Sequence, residues 1–314
     1  MQKRKLRWYD HIAINTYWLG INVASGTITP VLLPYLVALF APPESKNTYL
    51  GAMRVIGLSV AMMVQPVSGM LSDRSTHPLG RRRPFIVVGT LFNILFLLIV
   101  GASVLFMDSP LDENLLPLLG LTLAYLVLLV GIALLQVSSN VAQGALQGLI
   151  PDIVPDNQRG RASGVKAVME LLPAFLVIGM GPRVDAGRTW GVIAIIIGAF
   201  FVTMLVTVIC VREEPLKEKP AGGLLGPVLR ILALTTIFVV VTLGSAGVVG
   251  MTGSLLGRSG VDLSVQIAVV GLTGLVGMAA SIFVGVYFGA WVGIGKHARK
   301  HTGFIWWVLN RLLF

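Results

Sequence analysis

One acid and four guanidinium groups share a single short stretch between apolar segments, Gly69-Met-Leu-Ser-Asp73-Arg74-Ser-Thr-His-Pro-Leu-Gly80-Arg81-Arg82-Arg83-Pro84-Phe85-Ile86. Asp73 has cationic partners within reach. The chemistry such a cluster can do is electrostatic: a charge pair between two helix ends holds one membrane face closed and can release it. Gly69 permits close helix approach, Gly80 permits a tight turn, and Pro84 can open a helix in its first turn. Simple anchoring by positive loops explains the arginines but not Asp73, the glycine pair or the proline. Gly69, Asp73, Arg74, Gly80, Arg81 and Arg82 are therefore read as a conformational latch.

The other polar groups of interest lie inside apolar stretches, where ionisable side chains are costly and default to functional roles. Glu170 lies nine residues after Arg161, ~14 Å along a helix and near the midplane. It is the candidate site for a coupling proton or cation, set against a buried Glu held neutral by hydrogen bonds. Lys166, four residues earlier, can pair with it. Gln136, Asn140, Gln143 and Gln147 follow i, i+4, i+7, i+11 and form one polar stripe. That stripe either faces a water-filled cleft or bonds to a neighbouring helix. Asn15, Trp18 and Asn22 share one face of the first apolar stretch, and Asn93 lies in the third. These eight residues are the candidate solute-binding groups, since aromatic rings and amides with few charges suit a neutral polyhydroxylated solute. Arg54 reads as snorkelling outward, or else as touching solute or a carboxylate.

Chemistry beyond binding finds no support. The chain has no His-Glu-x-x-His, no acidic pair for a magnesium diphosphate and no nucleophile elbow. His297 and His301 are four apart, a metal-ligand spacing, but Lys296, Arg299 and Lys300 around them suit lipid headgroups better. Cys210 is the one cysteine, read as a small packing residue at a helix end. The expectation is no enzyme, no metal and no cofactor.

These residues must be carried by membrane helices. The 314 residues are 55% hydrophobic and 12% charged, about half the charge of a soluble domain. Eight stretches of roughly twenty to thirty-five residues are nearly free of charge, and about 20 apolar residues span a bilayer as a helix. Helices are placed near 12–40, 48–71, 84–107, 115–150, 161–182, 189–211, 228–257 and 264–294. Most Lys and Arg fall in alternate loops, including Lys3, Arg4, Lys5, Arg7, Arg159, Arg161, Arg212, Lys217, Lys219 and Arg230. Asp108, Asp112 and Glu113 fall on the opposite side. This places the N-terminus in the cytoplasm. Trp8, Trp190, Trp306 and Trp307 lie at expected interfaces. The net charge of +10 sets orientation and does not point to nucleic acid. Membrane lipid and a small solute are the expected partners.

The stretch Gly69–Asp73–Arg74 followed by Gly80-Arg81-Arg82 resembles the signature loop of the major facilitator superfamily. Its continuation Arg-Arg-Arg-Pro-Phe-Ile resembles the sucrose transporters and related glycoside–pentoside–hexuronide cation symporters. Asn140-Val-Ala-Gln143-Gly144-Ala-Leu-Gln147-Gly-Leu-Ile-Pro-Asp152 is similar to a block of that family, and Gln158-Arg159-Gly160-Arg161-Ala-Ser-Gly164 extends the likeness over about residues 10–212. Asp152 and Arg161 repeat the nine-residue spacing of Asp73 and Arg82, a hint of repeated hairpins.

The resemblance implies an all-α polytopic transmembrane bundle: an N-terminal six-helix half of major facilitator type plus two additional helices. It implies a secondary active transporter working by alternating access on a small polar solute, a sugar or glycoside, with a coupling proton or sodium ion, in the plasma or inner membrane. Family members from plants carry an arginine where Gln147 stands and an aspartate where Gln136 stands. An amide pair holds no proton near neutral pH, so proton-coupled sucrose uptake does not carry over. The expected organisation is 1–212 as the six-helix half, 213–227 as a cytoplasmic linker, 228–295 as a two-helix insert and 296–314 as the start of a C-terminal half. There Trp306-Trp307-Val-Leu-Asn310-Arg311 looks like an opening helix, and Gly303–Phe314 reads as a frame that stops early, with a re-entrant piece as the alternative. A non-transporting scaffold, or a partner half of a two-chain transporter, is the alternative.

Overall fold

Among the described residues, eight helices are long and apolar enough to cross a bilayer. The computed structural model describes residues 5–112, 120–213, 215–216, 223 and 225–291, with backbone alone over 285–291. Lys3, Arg4, Glu113, Lys217, Lys219, the 296–314 segment with His297 and His301, and Trp306 and Trp307 lie outside the described residues. The helices are α1 (Trp8–Phe40), α2 (Lys46–Asp73), α3 (Arg83–Phe106), α4 (Leu123–Ile153), α5 (Asp156–Asp185), α6 (Thr189–Cys210), α7 (Leu225–Arg258) and α8 (Leu263–Trp291). The chain is a multi-pass membrane protein.

Local chemistry sets the ends and breaks. The Asp10 carboxylate accepts the Arg7 N–H at 2.8 Å and closes the first turn of α1. Pro30 lacks an N–H, and α1 widens to a π-turn over Ile28–Leu32 around it. Helix α4 begins at Leu123, later than the expected 115. Gly120 takes a left-handed turn (φ +67°), and the Thr122 hydroxyl accepts the Tyr125 N–H at 3.3 Å, an N-cap that fixes the start. Helix α5 is interrupted ahead of Pro173 and again ahead of Pro182.

Residues 1–221 form one compact unit and 222–314 another. In the first, α4 packs on α2 and α3, α3 packs on α6, and α1 packs on α6 and α5. The neighbour order is thus α2, α4, α3, α6, α1, α5. Exchanging each helix with the one three later reverses this order and leaves it unchanged. That is the arrangement of two inverted three-helix repeats, with the α3–α6 contact on the axis. Tyr17, Leu32, Leu36, Ile86, Leu97, Leu128, Leu146 and Phe200 are among its fully buried side chains. At one end, Tyr125 donates to the Tyr49 carbonyl at 2.9 Å and Tyr49 to the Gly120 carbonyl at 2.7 Å, so α2 and α4 are pinned there.

In the second unit α7 packs against α8. Asp262 opens α8 by accepting the N–H and hydroxyl of Ser264 at 2.8 and 2.6 Å. Cys210 is exposed at the last position of α6. The packing role expected for it is therefore not what the fold gives, because the final turn of α6 presents this position away from the core.

Candidate functional site

The arginine-rich stretch folds into a charge cluster that ties four helix ends together. Arg82 is buried at the start of α3. Its guanidinium pairs with Asp73 at the end of α2 and, through Nε, with Asp152 at the end of α4 at 2.9 Å. Nη1 donates to the Ser72 hydroxyl at 2.7 Å and, more weakly, to the Gly69 carbonyl at 3.4 Å. Arg81 holds Asp152 at 2.8 Å and faces Glu213 at 3.8 Å. Glu213, just beyond α6, accepts the backbone N–H of Arg82 at 2.8 Å. Burial pushes the Glu213 carboxyl above the usual range, against the pull of those N–H groups and the two guanidinia. Arg83 donates to the Leu79 carbonyl at 3.1 Å and also to the Val208 carbonyl, binding the loop to α6. A charged network of this density strengthens its own bonds in low dielectric.

Two glycines make the cluster possible. Gly80 takes φ +108°, a conformation that favours glycine, and lies against the Glu213 side chain. A Cβ on Gly148 would sit 2.1 Å from Arg82 Cζ, so α4 presents a bare backbone there for the guanidinium to lie across. Gly69 is less constrained than expected, its Cβ position meeting only the Gly144 carbonyl at 3.6 Å. The close approach between α2 and α4 is instead required at Gly144, where a Cβ would sit 2.5 Å from the Gln65 carbonyl. Arg74 stands at the end of α2, its N–H on the Leu71 carbonyl at 3.2 Å.

The repeated nine-residue spacing does not repeat as a pairing. Asp152 is taken by Arg81 and Arg82, and Arg161 is exposed. Asp152 as an arginine partner, Ser72, Gly148 and Glu213 were not among the expected latch residues. An acid directly after α6, in a cationic segment, was the available signal for Glu213. Its separation of 131 residues from Arg82 hides the contact from spacing arguments.

The expected solute-binding residues separate into distinct places. Asn15, fully buried, donates to the His11 carbonyl at 2.9 Å and across to the Ala162 carbonyl of α5 at 3.1 Å. Its Oδ1 has no hydrogen-bond partner. Trp18 faces α5 as well, with Lys166 Nζ 4.0 Å from its ring centroid. Lys166 in turn lies 3.5 Å from Glu170. Asn22 donates to the Trp18 carbonyl at 2.9 Å. Thus the α1 stripe and Glu170 come together along α1 and α5, with Lys166 as the link. Glu170 is about one-third exposed and pairs with Lys166, so its side chain is not fully buried.

On α4, Gln143 accepts from Gln65 of α2 at 3.1 Å and Gln136 lies against Gly57 of α2. Asn140 donates to the Gln136 carbonyl at 2.8 Å, and Gln147 is exposed near the helix end. Asn93 is fully buried between α3 and α4, accepting from Ser138 at 2.6 Å. It neighbours the Tyr17 and Thr90 hydroxyls, themselves 2.5 Å apart. A groove bordered by Leu71, Arg74, Ser75, Thr76, His77 and Phe85 lies at the loop and not at mid-depth.

A family model described as Major Facilitator Superfamily matches residues 18–305. The chain belongs to the major facilitator superfamily. Its similar proteins within the superfamily include a sucrose transport protein of Arabidopsis thaliana, 30% identical over 149 residues, which are 46% of this chain and 24% of the relative. A general alpha-glucoside permease of Schizosaccharomyces pombe is 29% identical over 175 residues, 52% of this chain and 30% of the relative. A sucrose transport protein of Oryza sativa subsp. indica is 33% identical over 147 residues, 45% and 28% of the two chains. The chain thus spans about a quarter to a third of the length of these relatives. The all-helical membrane bundle and the sucrose-transporter likeness expected from the loop motif agree with these matches.

Proposed function

We propose that this chain takes part in secondary active transport of a small polar solute, a sugar or glycoside, by alternating access. One observation supports the reading: an ion pair within the apolar stretch of α5 stands beside an aromatic ring of α1. One turn beyond Lys166, Glu170 lies nine residues past Arg161, ~14 Å along α5. That is close to half the ~30 Å hydrocarbon core. The Lys166 and Glu170 side chains are 30% and 36% exposed. Charges turned toward lipid at that depth are expensive, so this face of α1 and α5 lines an aqueous path. Asn15, Trp18 and Asn22 supply an aromatic plane and amides along it, and Glu170 is the group for a coupling proton or sodium ion. Gln136, Asn140, Gln143 and Gln147 form the counterpart surface on α4.

In this reading the Arg82 cluster is the inner latch. Asp73, Asp152 and Glu213 clasp one arginine pair while the inner mouth is closed, and opening separates α2, α4 and the end of α6. The N-terminus is cytoplasmic and the membrane is the plasma or inner membrane. Residues 1–212 act as one six-helix half, 213–227 as linker, 228–295 as a two-helix insert and 296–314 as the start of a second half. The names of the sucrose and alpha-glucoside relatives support the solute class.

Binding of radiolabelled sucrose and maltose to the chain in lipid nanodiscs, with uptake by cells expressing it, tests the proposal. Saturable binding lost in Trp18→Leu is the expected result. Binding without uptake favours a partner half of a two-chain carrier. No binding and no uptake overturns the transporter reading.

A further inference from the structure

We propose that the Trp18 face and the Glu170 carboxylate together form a cation-accepting site that Lys166 fills from within. Lys166 then excludes cationic solutes and reserves the path for neutral ones. The inference rests on the transport reading above and deepens it, naming the residue that sets substrate charge.

The geometry has the parts of such a site. The Lys166 ammonium lies 4.0 Å from the Trp18 ring centroid, inside the range where a cation is drawn to the negative face of an indole. Glu170 Oε1 stands 3.5 Å from the same ammonium. An aromatic face plus a carboxylate is the chemistry that recognises quaternary and primary ammonium groups. One turn before Trp18, Asn15 is fully buried with Oδ1 unpartnered.

The ammonium is held loosely. Its 3.5 Å pair with Glu170 is longer than the 2.8 Å pair of Arg81 with Asp152. The Lys-before-Glu order at i, i+4 is the weaker orientation on a helix. A four-carbon stem lets the group swing aside without moving α5. Displaced toward Glu170, 3.5 Å away, it still leaves its charge beside the site. A neutral polyhydroxylated solute can displace the ammonium toward Glu170 and stack on the indole. A solute that brings its own cation meets like charge in the same space, and such juxtaposition is the usual means of rejecting a wrong ligand.

The test is calorimetric titration of the full chain in nanodiscs with tetramethylammonium and, separately, sucrose. Wild type and Lys166→Arg are expected to show no measurable affinity for tetramethylammonium. Lys166→Met is expected to bind it at least tenfold more tightly than wild type, and Trp18→Leu in that background is expected to abolish the gain. A folded Lys166→Met protein with no gain, or a gain that survives Trp18→Leu, overturns the proposal. Should Lys166→Met fail to fold, Lys166→Gln serves in its place. A thermal-unfolding cycle of Trp18→Phe with Lys166→Gln then reads the coupling directly: non-additive losses support the contact and additive losses overturn it. Failure of sucrose to bind wild type bears on the solute class alone, since the tetramethylammonium arms do not depend on it.

Discussion

The α1/α5 and α4/α2 contacts occupy equivalent positions in the two three-helix repeats, yet they are built from opposite chemistry. Between α4 and α2 the polar groups are neutral and meet directly. Gln143 bonds to Gln65 at 3.1 Å and Ser68 to the Val141 carbonyl at 2.7 Å, while Gly144 lets the backbones close. Tyrosines fasten one end of this pair and the Arg82 cluster the other. Between α1 and α5 one neutral bond crosses, from Asn15 to the Ala162 carbonyl at 3.1 Å, and beside it an ammonium of α5 lies over the indole of α1 and in a loose ion pair within α5. Helix α5 is interrupted by two prolines, and the α5 counterpart of the Asp–Arg latch is unmade. One contact is welded, while the other keeps charges that can be rearranged. The difference places movement and solute contact on the α1/α5 side.

The largest expected effect breaks the welded side. Arg82→Ala leaves Asp73 and Asp152 without their shared guanidinium and Ser72 without its donor, while Asp152 keeps Arg81, a loss of several charge-assisted bonds together worth about 3 kcal/mol. The melting temperature in detergent should fall sharply. Arg161→Ala, at the matching place in the first turns of α5, should change stability by no more than about 0.5 kcal/mol, as exposed substitutions do. Equal losses in the two variants would erase the distinction between the two contacts.

Gly148→Ala comes next. Its methyl would overlap the Arg82 guanidinium, and overpacking of this kind costs about 1–3 kcal/mol. Combined with Arg82→Ala the penalty should largely vanish, which a double-mutant cycle measures.

A smaller effect concerns pH. The folded state holds the Glu213 carboxyl above its ordinary value of 4.5, so the folded chain binds this proton more tightly than the unfolded chain does. The stabilisation is complete below the ordinary value and is lost as pH rises through the raised one. Melting temperatures should therefore decline over that interval in wild type, with a shallower decline in Glu213→Gln. A slope unchanged by the substitution would separate Glu213 from the pH response.

The smallest effect is Gln143→Leu, which removes one amide bond between α4 and α2. Such bonds within membranes average about 0.6 kcal/mol. A loss several times larger, read by thermal unfolding, would mean that the amide stripe carries more of the welded contact than its geometry suggests.

Much of the helical frame was legible from hydrophobic length alone, because lipid demands about 20 apolar residues per crossing. Helix α4 started late because Gly120 and Thr122 set a local cap that a hydropathy run does not register. The latch was legible in part. Asp73 and Arg82 are nine residues apart, whereas Asp152 and Glu213 reach Arg82 from 70 and 131 residues away. Periodicity showed that Gln136, Asn140, Gln143 and Gln147 share a face. It could not show that α2 covers part of that face, since a repeat of 3.6 names a direction and not a neighbour. The same limit hid the Trp18–Lys166 contact, whose residues were each singled out but on different helices.

The central claim is that water, and not lipid, meets the α1/α5 face at mid-depth. In a Cys210→Ser background, Glu170→Cys and Val168→Cys can be compared for alkylation by a membrane-impermeant maleimide in nanodiscs. Val168 is 58% exposed and points about 200° around the helix from Glu170. The account predicts alkylation of the Glu170→Cys variant at least tenfold faster than of Val168→Cys, and slower in the presence of sucrose. Equal, slow alkylation of both would place Glu170 against hydrocarbon and contradict it.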